Sequence, residues 1–90
     1  NQEQAVENTV RELNYHLAQA YMDADRNGDA EPLLEDLYSR YPLEYRFAIK
    51  LAMCYRALDR IEKLAPLVEE LNTRRRSQAE AARERMKEFA

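Results

Sequence analysis

Residues Leu17 to Arg40 read LAQAYMDADRNGDAEPLLEDLYSR, and residues Leu51 to Arg74 read LAMCYRALDRIEKLAPLVEELNTR, the same stretch 34 positions later. Ten pairs are identical: Leu17/Leu51, Ala18/Ala52, Tyr21/Tyr55, Asp25/Asp59, Arg26/Arg60, Pro32/Pro66, Leu33/Leu67, Glu35/Glu69, Leu37/Leu71 and Arg40/Arg74. Chance usage would give roughly two such coincidences over this length, so the chain is built on an internal repeat.

Working outward, the first copy is preceded by Val6, Val10, Leu13, Leu17 and Tyr21, whose spacings of three and four put all five on one face of a first helix. Glu3 and Glu7 in its opening turns suit the positive end of a helix dipole. Asp25-Arg26-Asn27-Gly28-Asp29, holding the only glycine, predicts a stop near Ala24. Asp29 is the expected N-cap of a second helix, with Pro32 in its first turn and Leu33, Leu34 and Leu37 as its buried stripe. Tyr41-Pro42 ends that helix, because the residue before proline is driven out of helical geometry. A third helix follows through Phe47, Ala48, Leu51, Ala52 and Tyr55. The turn Leu58-Asp59-Arg60 has no glycine, which predicts a tighter or more helical reversal than the first. A fourth helix carries Leu64, Leu67, Val68 and Leu71.

Two readings fit the last segment. Ser77-Gln78-Ala79-Glu80 makes a capping box, which predicts a break near Asn72 to Arg76 and a fifth helix with Ala79, Ala82, Met86 and Phe89 as its apolar stripe. Such a helix would cover the flank of the second copy, as terminal caps of repeat arrays do. Without a proline there, the fourth helix could instead run on through the arginines.

The chain is all-α in expectation: 46% apolar residues with one glycine and three prolines leave little room for anything else. It is read as a single domain over residues 1–90, and we expect it to be cut from a longer protein. One cysteine, Cys54, rules out an internal disulfide and is compatible with a cytoplasmic setting. No apolar run is long enough to span a bilayer. The net charge of −3 divides into −6 over residues 1–73 and +3 over residues 74–90. An acidic body argues against a nucleic-acid surface, the run Arg74, Arg75, Arg76 being the local exception.

A 34-residue helix-turn-helix unit of this composition resembles the tetratricopeptide repeat. With Arg11 as the first position, repeat 1 spans about 11–44 and repeat 2 about 45–78, followed by a C-terminal helix over about 77–89. The family's large, small and tyrosine positions fall on Leu17, Ala18 and Tyr21, then Ala30, Leu34 and the closing Pro42. In the second copy they fall on Leu51, Ala52, Tyr55, Leu64, Val68 and Arg76, so the second-helix alanine and closing proline are lost. Asn14 and Ala48 stand where an aromatic is usual. The resemblance implies an antiparallel α-solenoid whose first helices line a concave groove for a peptide or partner domain. Its groove positions correspond to Glu12, Tyr15, Gln19, Met22 and Asp23, then Arg46, Ile49, Met53, Arg56 and Ala57.

From these we take Tyr15, Gln19, Met22, Arg46, Ile49, Met53 and Arg56 as the partner-binding set, an apolar strip edged by two arginines that suits a hydrophobic anchor near a carboxylate. Tyr15, Gln19 and Met53 replace the residues with which some members grip a C-terminal carboxylate, so that activity is not expected. The expectation is therefore a non-catalytic interaction module; the alternative is a C-terminal accessory or oligomerisation domain of a larger enzyme, two repeats being fewer than a stable stack wants. Neither a cofactor nor a metal is expected. Asp23 to Asp29 matches the opening of an EF-hand calcium loop, but Leu34 occupies the twelfth position, where the bidentate glutamate is required. His16 has no second histidine near it, and Cys54 aligns with Ala20 at a small-residue site, so both read as structural.

Overall fold

The computed structural model describes residues 1–88, which form four α-helices and no strand: α1 Gln2–Asp23, α2 Asn27–Arg40, α3 Tyr45–Ala57 and α4 Ile61–Lys87. Each helix packs chiefly on its neighbours in sequence. Short reversals make those neighbours antiparallel, as the Tyr41 hydroxyl donating to Glu7 Oε1 at 2.8 Å shows for α1 and α2. None of the four is long and apolar enough to cross a membrane.

The two hairpin turns are built alike. Asp25 and Asp59 adopt left-handed backbone, with φ of 59° and 57°. In the first turn Arg26 N–H bonds Tyr21 C=O at 2.7 Å and Asp25 N–H bonds Met22 C=O at 3.0 Å. In the second, Arg60 N–H bonds Tyr55 C=O at 2.9 Å and Asp59 N–H bonds Arg56 C=O at 3.1 Å. This paired pattern is the Schellman termination, which satisfies the last carbonyls of a helix through one left-handed residue. Aspartate, rather than glycine, takes that position in both copies, so the expected difference between the turns is absent. Gly28 lies inside α2, which starts at Asn27 behind Arg26. Asp29 is therefore not its N-cap; its carboxylate instead accepts from Arg26 Nε at 2.9 Å. Pro32 and Pro66 stand within their helices, past the first turn, and leave the carbonyls of Gly28 and Glu62 without their usual donors.

The core is Ala18, Ala30, Leu34, Leu37, Phe47, Ala48, Leu51, Cys54, Tyr55 and Leu67. For α2 and α3 this matches the sequence pattern closely. For α1 it does not: Val6, Val10, Leu13 and Leu17 are 58%, 49%, 62% and 43% exposed. The inward side of α1 instead carries Ala18, with Tyr15, Tyr21 and Met22 packed against the core. The reason is that α2 and α3 both lie on one side of α1, so among the described residues none covers its most apolar stripe.

The expected fifth helix is also absent. α4 runs unbroken from Ile61 to Lys87 through the arginines and Ser77, so the capping box is simply helix interior. In the first copy Pro42 stops α2 at Tyr41. In the second, Arg74 is held by Glu70 Oε1 at 2.7 Å one turn back, donates to the Pro42 carbonyl and lies over the Tyr38 ring. That anchorage carries the helix through the segment where a break was expected. Phe89 lies outside the described residues.

Candidate interaction surface

Helix α3 presents Phe47, Leu51, Cys54 and Tyr55 to the core, which puts Tyr45, Ile49, Met53 and Arg56 on its outer side. α4 runs back along that side and supplies Leu64, Val68 and Leu71. Because α4 does not fold over, two open hollows remain between the helices. One, about 250 Å³, is lined by Tyr45, Ile49, Leu71, Arg75 and Gln78. The other, about 230 Å³, is lined by Ala52, Met53, Arg56, Leu64 and Val68. Ile49 is 53% and Met53 45% exposed, each on the lining of one hollow.

The seven residues chosen from sequence separate into two groups. Ile49, Met53 and Arg56 come together along the α3/α4 hollows. Tyr15 and Arg46 form a second cluster: the Tyr15 ring lies 5.4 Å from Phe47, with the Arg46 guanidinium 5.0 Å from the Tyr15 centroid. Arg46 makes a forked contact with Glu12, its Nη1 donating to Oε2 at 2.9 Å, and its Nε donates to Glu44 Oε2 at 2.9 Å. Hydrogen bonds from Arg46 hold the Glu12 carboxyl below its ordinary range, and the same bonds hold Arg46 firmly protonated. Arg46 is thus already matched by two carboxylates. Gln19 donates to Asp23 at 2.8 Å, and Met22 packs on the core. Arg56, by contrast, forms no ion pair among the described residues and remains an open cation beside Met53.

Sequence reasoning placed Leu64, Val68 and Leu71 on the fourth helix but did not foresee that they would wall a surface hollow. It also missed the Val6 to Leu17 stripe as surface. The available signal was the lost proline at Arg76, which removed the break that would have supplied a cover.

Two groups that carry chemistry elsewhere serve packing here. Cys54 is buried and its thiol donates to the Asn27 carbonyl at 3.3 Å; burial raises its pKa, away from reactive thiolate. Glu31 is a buried carboxylate, paired with Arg60 Nε at 3.2 Å and Lys63 Nζ at 3.6 Å, which joins α2 to the second turn and α4. No protein-family model, curated protein or solved structure matches the chain.

Proposed function

We propose that this chain is a protein–protein interaction module of tetratricopeptide type, without catalysis of its own, and that it binds a partner segment along α3. The observation that carries this reading is the row Ile49, Met53 and Arg56, two exposed apolar side chains and a cation with no ion pair among the described residues, above hollows walled by Leu64, Val68 and Leu71. An apolar anchor would fill a hollow, and a nearby carboxylate would meet Arg56. Tyr15 and Arg46 border the row and are held rigid by Phe47, Glu12 and Glu44, so they shape its edge. The implied segment is a helix or extended strand with one hydrophobic anchor and one acidic residue.

Selection of displayed peptides against the chain tests this. Enriched segments should pair an aliphatic or aromatic residue with an acidic one, and Arg56→Glu should weaken them about tenfold or more, as expected for losing a charge pair at an interface. Met53→Glu should do the same while circular dichroism and melting stay unchanged. Segments that bind both variants as well as the parent would sink the reading. The second reading, an accessory or oligomerisation domain of a larger enzyme, draws support from the outward stripe on α1, which an interaction groove does not explain.

A further inference from the structure

The outward stripe on α1 and the open hollows on α3/α4 are related by the repeat. In this chain α3 sets Phe47, Leu51, Cys54 and Tyr55 onto α1 and α2, over Ala18, Ala30, Leu34 and Leu37. Thirty-four residues before that ridge stand Leu13, Leu17, Ala20 and Tyr21, and Leu13 and Leu17 are exposed. Thirty-four residues after the socket stand Ala52, Leu64, Val68 and Leu71, which line or wall the open hollows. One molecule therefore carries part of a second ridge at one end, where Leu13 and Leu17 are exposed and Tyr21 already packs on its own core, and part of a second socket at the other, where Val68 is exposed while Ala52, Leu64 and Leu71 are half-buried.

We propose that the partner of the α3/α4 surface is a second copy of this chain, docked head to tail, with α1 of one molecule lying in the α3/α4 hollows of the next. The proposal rests on the interaction reading above and names its occupant. Three further observations point to this copy rather than a foreign helix. First, both outer helices overhang their counterparts: α1 is 22 residues against 13 for α3, an excess of 9, and α4 is 27 against 14 for α2, an excess of 13. By the 34-residue offset the extra length of α1 precedes Arg11 and that of α4 follows Arg74. With α1 antiparallel to the neighbour's α4, the two overhangs run alongside each other.

Second, their charges oppose. Residues 2–10 carry Glu3 and Glu7 with no basic group, whereas residues 75–87 carry Arg75, Arg76, Arg83, Arg85 and Lys87 against Glu80 and Glu84. Pairing α4 overhangs with one another, or α1 with α1, would juxtapose like charges. Third, Glu12 and Arg46 occupy the same repeat position and touch across α1 and α3. Carried one repeat onward, the incoming Glu12 falls beside an Arg46 that its own Glu12 and Glu44 already hold, so it would have to share that guanidinium. Such a contact is heterologous, so it adds molecules in a row and gives an open filament or closes into a ring.

Sedimentation of the full 90-residue chain from low-micromolar to millimolar concentration is the first measurement, and the average mass should rise past that of a dimer. Val10→Glu/Leu13→Glu spoils the ridge and Ile49→Glu/Val68→Glu spoils the socket; all four side chains are exposed, and helical signal and melting confirm that each variant is folded. The single changes Leu13→Glu and Val68→Glu replace any double variant that does not fold. Each variant alone should associate about 100-fold more weakly than the parent, in the range for losing central apolar contacts. Mixed, they should form a one-to-one complex and stop, because one intact ridge then meets one intact socket. A mixture that stays monomeric overturns the proposal, because an intact ridge then fails to meet an intact socket; so does either variant that alone still associates like the parent, which marks a symmetric contact between like faces. A parent that stays monomeric throughout overturns it as well; if Met53→Glu and Arg56→Glu still abolish peptide binding, the interaction reading stands without it.

Discussion

α1 and α3 carry the same apolar pattern and meet opposite fates. Leu13, Leu17 and Tyr21 on α1 correspond to Phe47, Leu51 and Tyr55 on α3, yet the α3 set is buried while Leu13 and Leu17 lie in the open. α3 has α2 before it and α4 after it; α1 has neighbours on one side alone. Periodicity thus reports which face of a helix is fit for burial, and the number of flanking helices decides whether burial happens.

Matched substitutions at the 34-residue offset test how far that difference reaches. The largest contrast is Phe47→Ala against Leu13→Ala. Removing Phe47 should cost about 3–5 kcal/mol, enough to unfold most of so small a domain, whereas Leu13→Ala should stay within about 0.5 kcal/mol for the monomer by denaturant titration at low concentration. Comparable losses at both sites would mean that α1 is buried in solution.

A medium contrast is expected for the tyrosine pair. Tyr55 donates to Glu35 Oε2 at 2.6 Å, and burial first, then that bond, raises its pKa above the ordinary value. Tyr55→Phe should cost about 1.5 kcal/mol or more near neutral pH, the usual loss of a hydrogen bond to a charged group, and Tyr21→Phe much less. A folded pKa above the unfolded one stabilises fully below the unfolded value near 10 and is lost as pH rises through the folded value. Alkaline melts of the parent should therefore show a loss that Tyr55→Phe lacks. The smallest contrast is at the turns. Asp25→Gly and Asp59→Gly should each gain up to about 1 kcal/mol by relieving left-handed strain, with nearly equal effect. Unequal shifts would show that the two Schellman turns differ after all.

The sequence was legible wherever a signal was local. The four helical segments, the stop at Ala24 and the break at Tyr41-Pro42 followed from spacing, a turn cluster and a proline. Asp25 and Asp59 were visible as a repeated pair, but glycine drew attention away from the first of them, since Gly28 sits three residues after Asp25, inside α2. What needed a neighbour was illegible. The α1 stripe looked like core because nothing in Val6, Val10, Leu13 or Leu17 says on which side of the helix α2 and α3 will pack. The capping box at Ser77 is a local signal overridden by Arg74, whose partners Tyr38 and Pro42 lie more than thirty residues away. For the candidate surface, Ile49, Met53 and Arg56 were found together, while the α4 wall was hidden by the assumption of a cover. Tyr15 and Arg46 were recognised as surface residues, but their engagement with Phe47, Glu12 and Glu44 depends on the α1/α3 contact.

Packing that passes from each helix to the next also sets where the molecule opens. α2 and α3 are held from both sides, α1 and α4 from one, and no hydrogen bond or ion pair from the described residues beyond Arg76 reaches another helix. Local opening therefore starts at the outer helices and the α4 overhang, while the amides of α2 and α3 are released last and together. With contacts so short in sequence, closing again is fast, and the chain spends its excursions as a central hairpin of α2 and α3 whose ends come and go.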